Sequence, residues 1–400
     1  MKQIPIIRFS QFDDKWGSIA IGDLAQIKRG ASPRPIQDPK WFDKNSDIGW
    51  LRISDVTEQN GRIKYLEQKI SKLGQEKTRV LNTPHLLLSI AATVGKPVVN
   101  YVKTGVHDGF LIFENPKFDR EFMFQWFDMF RPKWNKYGQP GSQVNLNSDI
   151  IRNHKMMIPS LPEQSAIGSL FRTLDDLIAS YKDNLTNYQS LKATMLSKMF
   201  PKSGQTIPEI RLDGFKEEWE VKKLRKVVQI NPKSELPEKF KYIDLESVVG
   251  TRINKIREEY KETAPTRAQR LAEKGDIFYQ TVRPYQKNNY LFKLDDVDYV
   301  FSTGYAQLRP KRTSCDSDFL LTLLQDNKFL SKVLDRCTGT SYPAINAKDL
   351  VEISIVIPKV EEQQAIGSYF SNLDNLINSH QEKISQLETL KKKLLQDMFI

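Results

Sequence analysis

Apolar residues spaced three and four apart run through two stretches of the chain and predict two long amphipathic helices. In the first, Ile167, Phe171, Leu174, Ile178, Tyr181, Leu185, Tyr188, Met195 and Met199 form the stripe. In the second, Ile366, Phe370, Leu373, Ile377, His380, Ile384, Leu387, Leu394 and Met398 take the same slots. The alternation is an a/d seam of the coiled-coil kind. Such a seam cannot face water alone, and the other copy is the natural partner. Pairing is expected through Ile167, Phe171, Leu174, Ile178 and Leu185 on one side and Ile366, Phe370, Leu373, Ile377 and Ile384 on the other. Two such helices related by a pseudo-two-fold would lie antiparallel. Pro162 suits the first turn of the first helix, where a missing N–H costs little, and Pro201 stops it.

About 150 residues of a different pattern precede each helix. Short β-type runs fall at 51–56, 86–90, 97–102 and 109–113, and again at 242–249, 276–282, 290–294 and 305–308. Gly, Pro, Asn and Asp separate them, as turns require. One compact helical stretch stands in each part, Arg120–Phe130 and 318–335. The expected fold class is α+β: two strand-rich globules alternating with two long helices. The boundaries fall at 1–155, 156–203, 204–355 and 356–400, with the polar stretch 201–214 as linker.

The two halves are copies. Residues 158–200 lie on 357–399 without a gap, and 19 of the 43 positions are identical. Upstream, Ser142, Leu146 and Asn147 meet Ser341, Ile345 and Asn346. The opening Ile4-Pro5-x-Ile7-Arg8, with Phe12 and Trp16, returns as Ile207-Pro208-x-Ile210-Arg211, with Phe215 and Trp219. A period this long is no solenoid unit. It signals a whole domain plus a helix, duplicated head to tail.

Composition narrows the class. The net charge is +11; residues 1–200 carry 28 basic and 20 acidic residues and 201–400 carry 32 and 29. Both halves are therefore basic, which points to nucleic acid, although a basic soluble protein is the plainer alternative. No apolar run is long enough for a membrane helix, and no apolar segment follows Met1, so a secretory signal is not expected. Two cysteines, Cys315 and Cys337, suit a reducing cytoplasm and cannot make a disulfide framework.

The signature Ile-Pro-x-x-x-Glu-Gln-x-Ala-Ile-Gly-Ser-x-Phe-x-x-Leu-Asp-x-Leu-Ile occurs at 158–178 and 357–377. In duplicate, and with the two openers, it resembles the DNA-specificity subunit of type I restriction–modification systems. The likeness covers nearly the whole chain, although blocks inside the globules, such as residues 30–34, 90–96 and 281–284, are weak. It implies a bipartite, asymmetric target in double-stranded DNA, with each globule reading one half. It implies helices that set the spacing and dock two methyltransferase subunits, which carry S-adenosylmethionine. Two restriction subunits using ATP and Mg can join. The chain itself would hold no cofactor, metal or catalytic residue and would work in the cytoplasm.

The loops offer matching chemistry. Arg can donate to guanine O6 and N7, amides pair with adenine, and Lys and Ser more often reach phosphate. In the first half the candidates are Lys28, Arg29, Ser32 and Arg34 in a probable-loop run rich in cations, then Thr93 and Lys96, then Lys136, Tyr137, Gln139, Gln143 and Asn145. In the second they are Arg252, Lys255, Arg257, Thr281, Arg283, Tyr285, Lys287, Thr340, Ser341 and Tyr342. Each also reads as ordinary solvated surface. Asn147 and Asn346, at matched positions, read better as backbone caps than as base readers.

Enzyme readings find little. Pro208-Glu209 and Glu220-Val221-Lys222 imitate a nuclease metal site, but the first copy lacks the carboxylates. No GxxxxGK[ST] loop and no Asn/Asp-Pro-Pro-Tyr/Phe motif occurs. The four histidines, His85, His107, His154 and His380, are scattered, which speaks against a metal site. His107-Asp108 implies no nucleophile, and His380 reads as a packed residue. A two-fold protein-interaction scaffold without DNA readout would explain the repeat and the helices, but not the basic loops.

Overall fold

The structure is a computed structural model and describes residues 4–137, 146–339 and 341–400. It divides into two compact units: Met1–Tyr181 with Lys383–Ile400, and Lys182–Glu382. The two long helices are Leu161–Met199 and Val360–Met398, 39 residues each. Each unit therefore contains the beginning of one long helix and the end of the other.

In the first unit a five-stranded sheet runs, edge to edge, Gln26–Arg29, Phe110–Glu114, Leu86–Ser89, Pro97–Asn100, Arg62–Ile63. The central strands are buried on both faces and read as unbroken apolar runs for that reason. Helix Arg120–Phe130 begins where the Asp119 carboxylate accepts from the Phe122 N–H, and it buries Phe122, Met123, Phe124, Trp126 and Phe127. In the second unit the matching sheet runs Val228–Ile230, Tyr305–Pro310, Ile277–Gln280, Tyr290–Leu291. A second sheet there runs Arg257–Tyr260, Lys239–Ile243, Tyr299–Ser302, Ala268–Leu271. Asp316 caps helix Ser317–Gln325 as Asp119 caps its counterpart.

Several sequence expectations shift. The run 242–249, read as one strand, is divided between Lys239–Ile243 and Val248–Val249, with a turn between them. Residues 51–56 read as a strand, yet Ile53–Glu58 is helical, because the Asp55 carboxylate accepts from the Arg52 N–H and guanidinium and closes the first turn. The helix expected at 318–335 is two helices, Ser317–Gln325 and Asn327–Leu334, broken at Asp326, whose backbone is extended. The stretch 201–214 is more than a tether: Ile210 and Leu212 pack on the core of the second unit, and Arg211 binds Glu362.

Within each unit the two helix segments run antiparallel. In the first, Lys391 pairs with Asp175 at 2.5 Å, and the Phe399 ring lies 5.8 Å from Phe171. In the second, Lys192 pairs with Asp374, Tyr188 meets His380 edge-on at 5.1 Å, and Phe200 lies 6.2 Å from Phe370. The seam does more than join helices. Ile167, Phe171, Leu174 and Ile178 belong to one core with Trp16, Phe122 and Phe399. Ile366, Phe370 and Leu373 share another with Trp219, Phe319 and Phe200. Ile377 and Ile384 are also buried, whereas Leu185 is only half-buried.

Candidate nucleic-acid interface

The duplicated helical signature acquires a physical role. Glu163, 1% exposed, accepts two hydrogen bonds from the Arg8 guanidinium at 2.7 Å each and a third, at 3.3 Å, from the Trp16 indole N–H. Gln164 accepts from the Asp119 N–H and donates to the Pro159 carbonyl. Gly168 leaves room for the start of helix Arg120–Phe130, since a Cβ there would stand 2.6 Å from Asp119 Oδ1. The second copy repeats the set: Glu362 holds Arg211, Gln363 accepts from the Asp316 N–H, and Gly367 faces Asp316. The signature locks opener, globule and helix together. It forms a frame and leaves the loops to vary.

Most sequence candidates in the first unit are already engaged. Lys28 and Arg29 are strand residues, not loop, and Lys28 pairs with Glu114. Arg29 donates to the Asp108 carbonyl, while Ser32 and Arg34 donate to the Asp108 carboxylate. Partial burial would raise the pKa of Asp108, but the Ser32 hydroxyl, Arg34 and Arg29 outweigh it and hold the carboxyl below its usual range. Arg29 and Arg34 are both exposed, Arg34 with most of its side chain in solvent. Thr93 donates to Ser89, and Lys96 donates to Asp128 and Asn60. Lys136 and Tyr137 end a short 3-10 segment, Arg131–Tyr137. Gln139, Gln143 and Asn145 lie outside the described residues.

The second unit separates its candidates more sharply. Thr281 is buried and donates to the Gly304 carbonyl, so it faces inward. Arg252 pairs with Glu382 on the long helix, and Arg257 pairs with Asp244. Lys287 donates to the Gln325 carbonyl and to Asn327, and burial lowers its pKa. Lys255, Tyr285, Ser341 and Tyr342 are exposed. Arg283 lies over the Tyr342 ring, 4.2 Å from its centroid. Thr340 lies outside the described residues.

Asn147 and Asn346 are caps: the first accepts from the Asp149 and Ile150 N–H groups, the second from the Asp349 N–H. His107 is a packing residue between Trp50 and Phe110, and burial lowers its pKa. Glu209 is paired with Lys198 and Lys202, and Glu220 with Lys222. Among the described residues no group of three or more His, Cys, Asp and Glu could hold a metal ion, and no helix is long and apolar enough to cross a membrane.

Sequence reasoning missed Tyr342 as a platform for Arg283. The two are far apart in sequence and meet because the Val282–Ala344 bridge joins their segments. It also missed the recurrence of a left-handed backbone at one loop position. Ile90 donates to the Gly109 carbonyl as Thr281 does to Gly304, which aligns the two loops. Two residues on, Ala92 has φ +56° and Arg283 has φ +53°.

The family model for the type I restriction modification DNA specificity domain matches residues 13–188 and 216–389. The type I restriction enzyme MjaVIII specificity subunit of Methanocaldococcus jannaschii is 26% identical over 268 residues, covering 63% of this chain and 62% of that protein. The putative MjaX specificity subunit of the same organism is 26% identical over 275 residues, covering 64% and 60%. The HindI specificity subunit of Haemophilus influenzae is 28% identical over 178 residues, covering 44% and 36%. The matches thus span less than two thirds of these curated relatives. Among solved structures, the S subunit of a type I restriction–modification system from M. genitalium superposes with a TM-score of 0.65 at 14% identity, over 99% of both chains. A chain from a structure of type I R-M complex assembly gives 0.50 at 18% identity, over 96% of this chain and 97% of that one. At such identities the likeness concerns the fold.

Proposed function

The chain belongs to the type I restriction modification DNA specificity family, and from that premise we propose that it selects the target of a type I restriction–modification complex without itself performing chemistry. Each unit reads one half of a bipartite, asymmetric duplex site. The long helices dock two methyltransferase subunits, which bring S-adenosylmethionine, and two restriction subunits using ATP and Mg join through them.

The observation that carries this reading is a fixed frame bearing unlike loops. The Arg8–Glu163 and Arg211–Glu362 locks repeat atom for atom. At the matched left-handed position, one loop carries Ala92 and the other Arg283. A frame kept constant under loops that differ is what two readers of unlike half-sites require.

The helices add support for docking. Leu177 and Leu376 take the same slot in the two copies, as do Leu191 and Leu390. Their exposures are 40%, 41%, 38% and 45%. Exposed leucines repeated at equal positions suit two copies of one partner.

The test is an exchange. Residues 17–155 are replaced by the corresponding globule of another family member, and methylated bases are mapped in a host expressing the complex. One half of the recognised sequence should change and the other should stay. A change in both halves, or in neither, refutes the two-reader proposal.

A further inference from the structure

We propose that Arg283 reads a guanine in the half-site of the second unit, with Tyr342 as the platform that aims it. The inference rests on the chain being a DNA-specificity subunit and adds the identity of one base and its reader.

The backbone fixes the position first. Arg283 sits at φ +53°, ψ +55°, a left-handed conformation uncommon for a residue with a long side chain. It is held there from several sides. The Arg283 N–H donates to the Pro343 carbonyl at 2.8 Å, and the Arg283 carbonyl accepts from the Gln286 N–H at 3.0 Å. Val282 bridges to Ala344, and buried Pro284 follows. Strain of this kind persists where the surroundings over-determine it. Ala92 also has a positive φ, +56°, at the matched position of the first unit, so the turn recurs in the frame while the side chain upon it differs.

The side chain is then oriented. The guanidinium carbon lies over the Tyr342 ring, 4.2 Å from its centroid, a cation–π contact that does not consume the N–H donors. Tyr342 is 62% exposed, so the platform stands at the surface. Among the described residues, no carboxylate pairs with Arg283, whereas Arg252 and Arg257 are each bound to one and Lys287 is anchored to a carbonyl. Lys255 is exposed as well, but an ammonium is a point charge suited to phosphate. The planar fork of Arg283 matches guanine O6 and N7 in the major groove, two acceptors that no other base pair presents together at one base edge.

The experiment maps methylated sites in a host expressing the full complex with Arg283→Ala, Arg283→Lys, Tyr342→Phe or Tyr342→Ala. The half-site of the second unit is the one that survives exchange of residues 17–155. The wild type should show a guanine there. Arg283→Ala should cut discrimination at that base about tenfold or more, leaving the other half-site unchanged. Arg283→Lys should fail to restore it, Tyr342→Phe should keep it, and Tyr342→Ala should weaken it. An unaltered melting temperature of Arg283→Ala separates lost reading from lost folding. A half-site without guanine, or a bipartite motif unmoved by Arg283→Ala, overturns this proposal alone. A wild-type complex with no bipartite motif overturns the specificity reading beneath it.

Discussion

The helical frame repeats between the two units while the loops differ, and the structure shows why. In the frame, equivalent residues make equivalent bonds: Glu163 and Glu362 to arginine, Gln164 and Gln363 to a helix-start N–H, Asp175 and Asp374 to lysine. Each of these groups is wholly or partly buried and answers to a fixed partner, so a change in one leaves the other unsatisfied. The loops make unlike bonds in the two units. Asp108 gathers Ser32 and Arg34 in the first unit, while Arg283 rests on an exposed tyrosine in the second. Constancy follows from internal bonds, and freedom from facing outward.

The largest test of the equivalence lies at the helix ends. Phe399 fills the first unit between Phe122 and Phe171, with ring centroids 5.1 and 5.8 Å away. Phe200 fills the second between Phe319 and Phe370, at 5.7 and 6.2 Å. Phe399→Ala and Phe200→Ala should each cost about 3–5 kcal/mol. Hydrogen exchange should place the first loss in the first unit and the second loss in the second. Protection lost equally in both units after either substitution contradicts two separate cores.

The carboxylate locks should break unequally, and this sharpens the comparison. Removing a carboxylate strands a mostly buried arginine, which costs about 3 kcal/mol or more. The Arg8 and Arg211 side chains are only 10% and 14% exposed, so neither regains much water. Glu163 also accepts from Trp16, whereas the buried Trp219 indole nitrogen has no hydrogen-bond partner. Glu163→Ala should therefore destabilise more than Glu362→Ala, by about 1 kcal/mol. Urea unfolding of both variants measures it, and an equal or reversed order removes the Trp16 bond from the account.

How far the sequence discloses this follows from range. The helices show in local periodicity, which repeats within a few turns, and the duplicated frame and antiparallel pairing show in self-similarity between the two halves. The reason for Glu-Gln-x-x-x-Gly does not, since Glu163 answers to Arg8 and Gln164 to Asp119, each far along the chain. The candidate reading residues suffer most. Lys96 looks like a free loop cation until Asp128 is found beside it, and Thr281 looks like a surface donor until Gly304 covers it. Residue type signals the capacity to meet DNA, and only packing decides which groups are already occupied.

The smallest expected effect separates frame from reader at one matched residue. Asn147 and Asn346 stand beside the loops, carry an amide able to pair with adenine, and recur in both copies. Each nevertheless spends its side-chain oxygen on N–H groups of the helix that follows, Ser148–Asn153 or Ala347–Val351. A cap of this kind contributes about 1 kcal/mol, and serine replaces asparagine well at that place. Asn147→Ala and Asn346→Ala should each lower stability by about that amount, while Asn→Ser at either site restores most of it. The methylated sequence should stay the same in all four variants. If Asn346→Ser kept the stability yet altered one base of the motif, Asn346 would move from the constant frame to the variable readers, and the boundary drawn between them would have to pass through this residue.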